Sequence, residues 1–94
     1  MKKSLFQGIM GSSPRIKVIE YMLEWGKYDL TISDIARGSG ISRNKATEII
    51  NELKTKNIIE HTRNIGQGQF YIVNRENLIV KQMLKLFKTI VDNN

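Results

Sequence analysis

The side chains of this chain that could do chemistry are concentrated between residues 42 and 54. They share hydrogen-bonding groups and helical spacing: Asn44, Thr47, Glu48 and Asn51, flanked by Arg43, Lys45 and Lys54. On an exposed helix face, asparagine can bond an adenine edge and arginine a guanine edge, glutamate can accept from cytosine, and threonine can meet a thymine methyl group. The pattern therefore indicates a surface suited to reading base pairs. The alternative is an ordinary solvated helix face, which is also polar.

Groups for catalysis or metal binding are scarce. The chain has no cysteine, which excludes disulfides, thiolate metal sites and cysteine nucleophiles. His61 is its single histidine, so a zinc or haem site would have to depend on carboxylates. The acidic residues are scattered and suggest no acid–base pair. We therefore expect no enzymatic activity, metal or cofactor, and we interpret His61 as an ordinary polar side chain of a strand.

Charge and length add further expectations. Fifteen lysines and arginines against nine acidic residues give a net charge of +6, which favours a polyanionic partner, with nucleic acid as the leading candidate. The 94 residues fit one small domain (1–94), which buries only about 60 to 65% of its unfolded surface, so we expect a partner subunit. Because no apolar run reaches membrane-spanning length and no targeting signal is recognisable, we expect a soluble, cytoplasmic protein.

Helices must position these side chains, and the sequence predicts the first of them near residue 13. Ser13 and Pro14 mark its start, because a serine cap followed by proline suits the first turn. Apolar residues recur at helical spacing until Gly26 supplies the stop. Residues 4–10 are predicted to form a short apolar arm or an extra helical turn.

A helix-turn-helix is predicted over about residues 33–56. Ser33 caps its first helix, the run Gly38–Gly40 breaks that helix, and Ser42 caps the second. The apolar residues of the second helix recur at i, i+3, i+4 and i+7: Ala46, Ile49, Ile50 and Leu53. Small residues at the turn allow the two helices to cross closely. A generic helical pair with a glycine turn is the alternative.

A β-hairpin and a final helix are predicted to follow. Residues 58–65 and 69–73, separated by Gly66-Gln67-Gly68, are rich in β-branched and aromatic residues and predict a hairpin over about 58–73. The helix over about 77–92 has an apolar arc of roughly 160°, and one core requires about 100°. Two rows form that arc: Ile79, Met83, Leu86 and Ile90, and Val80, Leu84, Phe87 and Val91. One row should cover the domain's own core and the other a second copy of the chain, and which does which stays open.

The order helix, short strand, helix, helix, hairpin and helix resembles the winged helix-turn-helix family, particularly small MarR-like and ArsR-like transcriptional regulators. The strongest resemblance lies in the run from Thr31 to Glu60, TISDIARGSGISRNKATEIINELKTKNIIE. It implies an α+β fold with a C-terminal dimerisation helix. It also implies that the helix after Ser42 enters the major groove of duplex DNA, while the hairpin tip reaches the backbone or minor groove.

Phosphate contacts are expected around this surface. Ser33 and Ser42 lie at predicted helix N-termini, where free N–H groups favour an anion. Lys54, Lys56 and Arg63 supply positive charge. The wing, residues 63–69 with Gln67 near its tip, is short and carries one cation, so it departs from the long arginine-rich wings of some family members. We expect a modest contact from it.

These observations favour a dimeric, sequence-specific protein that binds double-stranded DNA and regulates transcription. Two alternatives stay open. One is a winged-helix module that binds protein, because function depends on the site and not the fold. The other is an architectural or partition role on DNA. The sequence specifies neither the target site nor any small-molecule effector.

Overall fold

Residues 4–93, which the computed structural model describes, form five helices and a three-stranded antiparallel sheet. The helices and strands have these bounds: α1 Leu5–Met10, α2 Pro14–Glu24, β1 Leu30–Thr31, α3 Ile32–Ser39, α4 Arg43–Thr55, β2 Ile59–Ile65, β3 Gly68–Val73 and α5 Leu78–Asp92. The predicted α+β class and order of elements are confirmed. Within residues 4–93, no helix is both long and apolar enough to cross a membrane.

The N-terminal segment is helical and is held against α2. Ser4 caps α1 by accepting from the N–H of Gln7, and the cap of α2 is Ser13, with proline in its first turn as predicted. The carboxylate of Glu20 on α2 accepts from Ser4 Oγ at 2.6 Å and from Gln7 Nε2 at 2.6 Å. The expected arm or extra turn is therefore a short helix bound to α2 by two side-chain hydrogen bonds.

The cap of α3 differs from the prediction. Thr31, not Ser33, occupies the N-cap position, and its Oγ1 accepts from the N–H of Asp34 at 3.0 Å. The Asp34 carboxylate accepts in return from the N–H of Thr31 at 3.2 Å. This reciprocal pair requires a side chain that accepts a hydrogen bond three positions after the cap. Asp34 has that position after Thr31, whereas Ala36 has it after Ser33. Ser33 is exposed within the first turn of α3.

The end of α3 also differs from the prediction. Gly38 does not break the helix, which continues to Ser39 and ends at Gly40. Gly40 has φ 68°, a left-handed conformation that glycine adopts without steric cost. At Gly38 the absence of a side chain serves packing, because a β-carbon there would overlap the ring of Tyr21 on α2. Gly38 therefore allows α3 to approach α2 closely and does not mark a turn.

The core lies between the helices and the inner face of the sheet. The four apolar residues predicted on one face of α4 are all buried, Ala46, Ile49, Ile50 and Leu53. They pack in one cluster with Val18 and Met22 of α2, Ile35 of α3 and Tyr71 of β3. This buried face fixes the rotation of α4 and leaves its polar side outward.

The sheet has strand order β1-β3-β2, and the hairpin loop is shorter than predicted. Gly68 belongs to β3 and pairs with Ile65, so only Gly66 and Gln67 form the loop. Gly66 has φ 59°, which suits the first position of a two-residue hairpin turn. A bulge interrupts the ladder, because His61 pairs with Tyr71 while Arg63 pairs with Phe70. Thr62 is the extra residue.

Helix α5 does not separate into one inner and one outer row. Val80 from one predicted row and Ile90 from the other are both buried, while Met83, Leu84 and Phe87 are half-buried. The core therefore faces a direction between the two rows. Four apolar residues of α5 remain exposed: Leu78, Ile79, Leu86 and Val91.

Candidate nucleic-acid interface

The outer side of α4 presents the predicted hydrogen-bonding groups. Asn44, Glu48 and Asn51 are exposed, and they follow one another at spacings of four and three on the side away from the buried face. Ser42 caps the helix by accepting from the N–H of Lys45 at 3.1 Å, as predicted. Two amides and one carboxylate therefore form a stripe whose direction is fixed by core packing.

A cleft separates the start of α4 from the tip of the hairpin. Its volume is about 530 Å³, and its lining residues are Thr31, Ile32, Ser33, Arg43, Thr47, Gln67, Gly68 and Gln69. The cleft brings together four of the predicted site residues: Ser33 of α3, Arg43 and Thr47 of α4, and Gln67 of the hairpin loop. Thr47 is half-buried and its Oγ1 donates to the carbonyl of Arg43 at 2.9 Å, so its hydroxyl proton is already bound while the oxygen can still accept a hydrogen bond.

Ion pairs engage part of the charge on α4. Lys45 Nζ lies 3.4 Å from Glu48 Oε1, and both side chains are exposed. Nearer the C-terminal end of α4, the Glu52 carboxylate pairs with Arg15 of α2. Arg43 and Lys54 are exposed. Exposed pairs of this kind contribute little to stability, so Lys45 and Glu48 can exchange partners at small cost.

Arg63, the cationic side chain of the hairpin, forms an ion pair with Asp29. Arg63 Nε donates to Asp29 Oδ2 at 2.8 Å and its Nη2 donates to Oδ1 at 3.1 Å. Its guanidinium also lies over the ring of Phe70, 4.6 Å from the centroid. The bulge at Thr62 places Arg63 on the Phe70 face of the sheet, because an unbroken ladder would have opposed it to Gln69. Arg63 therefore fixes the hairpin against the segment that precedes β1.

Asp29 is ionised at neutral pH because its partners stabilise the charged form. The hydrogen bond from Arg63, followed by that from the Thr62 hydroxyl at 2.7 Å, lowers the pKa of Asp29 below its ordinary value of 3.8. Charge-assisted bonds to a carboxylate favour its ionised state. The ion pair between Asp29 and Arg63 is therefore complete at neutral pH.

No protein-family model and no curated protein matches the sequence. Solved structures do match. MepR, a transcription regulator of the Staphylococcus aureus multidrug efflux pump MepA, has a TM-score of 0.66 at 15% identity over 86% of this chain and 58% of that chain. A MarR family transcriptional regulator from Silicibacter pomeroyi has a TM-score of 0.64 at 11% identity, over 95% of this chain and 60% of that chain.

A third structure matches over more of its own length. It is the homodimeric winged helix-turn-helix DNA-binding domain of a possible ArsR-family transcriptional regulator from Mycobacterium bovis, with a TM-score of 0.63 at 17% identity. The match covers 93% of this chain and 75% of that one. This chain has the winged helix-turn-helix fold. Helices α3 and α4 form its helix-turn-helix, and β2 with β3 forms its wing.

His61 lies in the wing and makes ordinary polar contacts. It is exposed, its Nε2 lies 2.7 Å from Asn64 Oδ1, and its ring packs edge-on against Tyr71 with centroids 5.5 Å apart. Within the described residues, no three histidine or acidic side chains come together as a metal site.

Sequence reasoning missed several residues of this surface. Thr31 and Gln69 line the cleft, and Asp29 binds the wing arginine across 34 positions. The capping box of Thr31 was readable from the acidic residue at position 34. No local pattern indicates the pairing of Asp29 with Arg63, because it depends on the bulge at Thr62.

Proposed function

We propose that the protein is a dimer that binds double-stranded DNA at specific sites and regulates transcription. The observation that supports this most is the exposed amide and carboxylate stripe of α4 beside the cleft that Arg43 lines. In this proposal α4 lies in the major groove, where these groups bond base edges. The structures of the same fold include transcription regulators and a DNA-binding domain.

The proposed contacts divide into reading and positioning contacts. Asn44, Glu48 and Asn51 read bases, and the Thr47 methyl group meets a thymine. The positioning contacts go to phosphates and carry no sequence information themselves. They come from Arg43, Lys45 and Lys54, from Ser42 at the start of α4, and from Ser33 and Gln67 at the edges of the cleft. Arg63 acts by fixing the wing, and its exposed side adds a weaker phosphate contact.

The proposed dimer forms through α5. Five residues along this helix line a shallow, almost wholly apolar hollow of about 350 Å³: Leu78, Ile79, Gln82, Met83 and Leu86. In a two-fold dimer this patch packs against its own copy. Two copies of α4 then enter successive major grooves about 34 Å apart, so the target is an inverted repeat with half-sites about one helical turn apart.

Selection of bound duplexes from a random pool tests the proposal. We expect an enriched, two-fold symmetric site, and the logarithm of the affinity for it should fall linearly with the logarithm of salt concentration. Enrichment of no sequence, with strong binding to every duplex, would replace sequence-specific regulation with an architectural role. Absence of duplex binding at low salt would favour a protein-binding module.

A further inference from the structure

Two large aromatic rings are exposed at the end of α2. Trp25 is 43% exposed and Tyr28 is 62% exposed. The N–H of Tyr28 donates to the carbonyl of Trp25 at 2.9 Å, and this turn holds the two ring centroids 6.1 Å apart. Contiguous exposed apolar surface is typical of a contact site for another molecule. Tryptophan and tyrosine are also the residue types that contribute most often to protein–protein binding energy.

A hollow of about 210 Å³ lies beside the ring of Tyr28. Its lining residues are Leu23, Glu24, Gly26, Lys27, Tyr28, Arg75 and Leu84. Leu23 is buried and Leu84 is half-buried, so the least accessible part of the hollow is apolar. Pockets that enclose drug-sized ligands have volumes of about 300–1,000 Å³. This smaller hollow suits a single apolar side chain of a larger partner.

Five exposed cations lie around this hollow: Lys27, Arg75, Lys81, Lys85 and Lys88. The first two line it, and the three lysines of α5 flank Leu84, because residues three and four positions apart are neighbours on a helix. Among residues 4–93, none of the five is in an ion pair. Three carboxylates are close to them in the lining or the chain, Glu24, Glu76 and Asp92. Five cations against three carboxylates leave a net charge of +2. We call the hollow, the two rings and the five cations the aromatic-basic patch.

The aromatic-basic patch is separate from the surfaces described above. It shares no residue with the stripe of α4, the cleft beside α4 or the apolar hollow of α5. The sequence of α5 explains the last separation, since it repeats an order of apolar, core-facing and lysine residues in Ile79-Val80-Lys81, Met83-Leu84-Lys85 and Leu86-Phe87-Lys88. Successive helical residues are about 100° apart. The lysines and the residues proposed for the dimer therefore lie on opposite sides of the core-facing row.

We propose that the aromatic-basic patch binds an acidic segment of another protein, with one apolar side chain of that segment in the hollow. The net positive charge selects carboxylates, and the rings of Trp25 and Tyr28 cover the apolar side chain. Duplex DNA has no such side chain to fill the hollow. The two rings are inclined to each other by 63°, so they do not form the row of open faces on which successive bases of a single strand stack. This inference goes beyond the proposed function and does not depend on DNA binding.

The first test titrates the isotopically labelled full chain with three synthetic twelve-residue peptides, followed by NMR. The first peptide has aspartates and glutamates on both sides of a central phenylalanine. It should shift the backbone signals of residues 23–28, 75–76 and 81–88. The second peptide has alanine in place of phenylalanine and should bind at least about tenfold more weakly, because no ring is buried in the hollow. The third has lysine in place of each acidic residue and should not bind.

The second test changes the protein and uses the first peptide. Lys85→Glu should weaken binding about three- to tenfold, because an exposed attraction becomes a repulsion. Tyr28→Ala should weaken it about tenfold, because the wall of the hollow is lost. Two matched controls should bind the peptide like the wild type. Arg43→Glu makes the same reversal of charge on α4, and Ile65→Ala removes an exposed apolar side chain from the wing. On the preferred duplex the pattern should reverse, with Arg43→Glu weakened and Lys85→Glu unchanged.

The outcomes separate this inference from the proposed function. Absence of binding of the first peptide at millimolar concentration, equal binding of the first and second peptides, or shifts confined to another surface would each overturn the inference and leave the proposed function standing. Binding of the first peptide without binding of any duplex would do the reverse. A single-stranded oligonucleotide that shifts the same signals and displaces the peptide would show that the patch binds nucleic acid, and the inference would be wrong. Thermal unfolding identifies a misfolded variant, and the comparison of the first two peptides on the wild type then decides alone.

Discussion

Arg63 and Asp29 are joined by two hydrogen bonds of 2.8 and 3.1 Å although 34 positions separate them in the chain. Asp29 directly precedes β1, and Thr31 at the end of β1 caps α3. The ion pair therefore connects the wing to the first helix of the helix-turn-helix. It orders the wing before any partner binds, which lowers the entropic cost of binding.

The first prediction concerns the pH dependence of this connection. The pKa of folded Asp29 is lowered by Arg63 and Thr62, so its ionised form stabilises the fold at every pH above its unfolded pKa. That stabilisation is lost as the pH falls through the lowered value. Asp29→Asn should reduce the midpoint of thermal unfolding at neutral pH, and the difference from wild type should shrink below about pH 4.

Glu48→Gln provides the control for that measurement. It breaks the exposed pair with Lys45, which should change the unfolding midpoint little at any pH. A wild-type advantage over Asp29→Asn that persists unchanged to pH 2 would show that the carboxylate charge does not stabilise the wing.

The second prediction separates reading from positioning on α4. Asn44→Ala or Asn51→Ala should cost roughly 1 to 3 kcal/mol on the preferred duplex and little on a scrambled one. Lys54→Ala should weaken binding to both duplexes about equally and reduce the salt slope by about one. Fluorescence titrations of each variant at several salt concentrations measure both quantities.

All three side chains are exposed, so each variant should keep the fold. Equal losses on the preferred and scrambled duplexes for the asparagine variants would show that α4 does not read bases. The proposed role would then be architectural.

Local signals made α4 predictable from the sequence. A serine cap at position 42 and apolar residues at a helical period fix its start and its buried face without reference to the rest of the chain. The position of the polar stripe could be predicted in the same way, because the stripe lies on the side of α4 opposite the buried apolar face. The same reasoning misplaced the cap of α3, since Ser33 and Thr31 are both capping residues and only Asp34 decides between them.

Features that depend on distant elements could not be predicted in this way. The bulge at Thr62 changes which face Arg63 occupies, and its partner Asp29 comes from another part of the chain. Likewise, the rows of α5 could not be assigned, because the direction of its core depends on how α1 and α2 pack against it. Periodicity shows where the apolar arc lies on the helix and does not show which part of the arc faces the domain's own core.

The third prediction tests the dimer. Leu86 is 44% exposed on α5, so Leu86→Glu should leave the subunit folded but place a charge in the apolar contact between copies. Sedimentation at micromolar concentration should show a species of twice the 10.8 kDa chain mass for the wild type and a single chain for the variant. The variant should also lose most of its affinity for the inverted repeat.

Lys81→Gln makes the same change in net charge on the other side of α5, where Lys81 is exposed. It should remain dimeric. A wild type that sediments only as a single chain would contradict dimerisation through this helix.

The fourth prediction tests the close approach of α2 and α3. Gly38→Ala should destabilise the protein by about 1 to 3 kcal/mol, because the added β-carbon overlaps the ring of Tyr21 and overpacking has about this cost. Gly8→Ala on α1 is the matched control. No atom outside its own helix lies within 4 Å of the added carbon, so it should stabilise the fold by up to about 1 kcal/mol through helix propensity.

A double-mutant cycle with Tyr21→Ala identifies the cause of this effect. Without the ring, Gly38→Ala meets no overlap and gains the helix propensity of alanine, so its effect on the free energy of unfolding should change sign. Denaturant unfolding of the wild type, both single variants and the double variant measures the four free energies. If Gly38→Ala destabilises equally in both backgrounds, the glycine is required for the geometry of α3 itself, and its contact with α2 is not the reason for it.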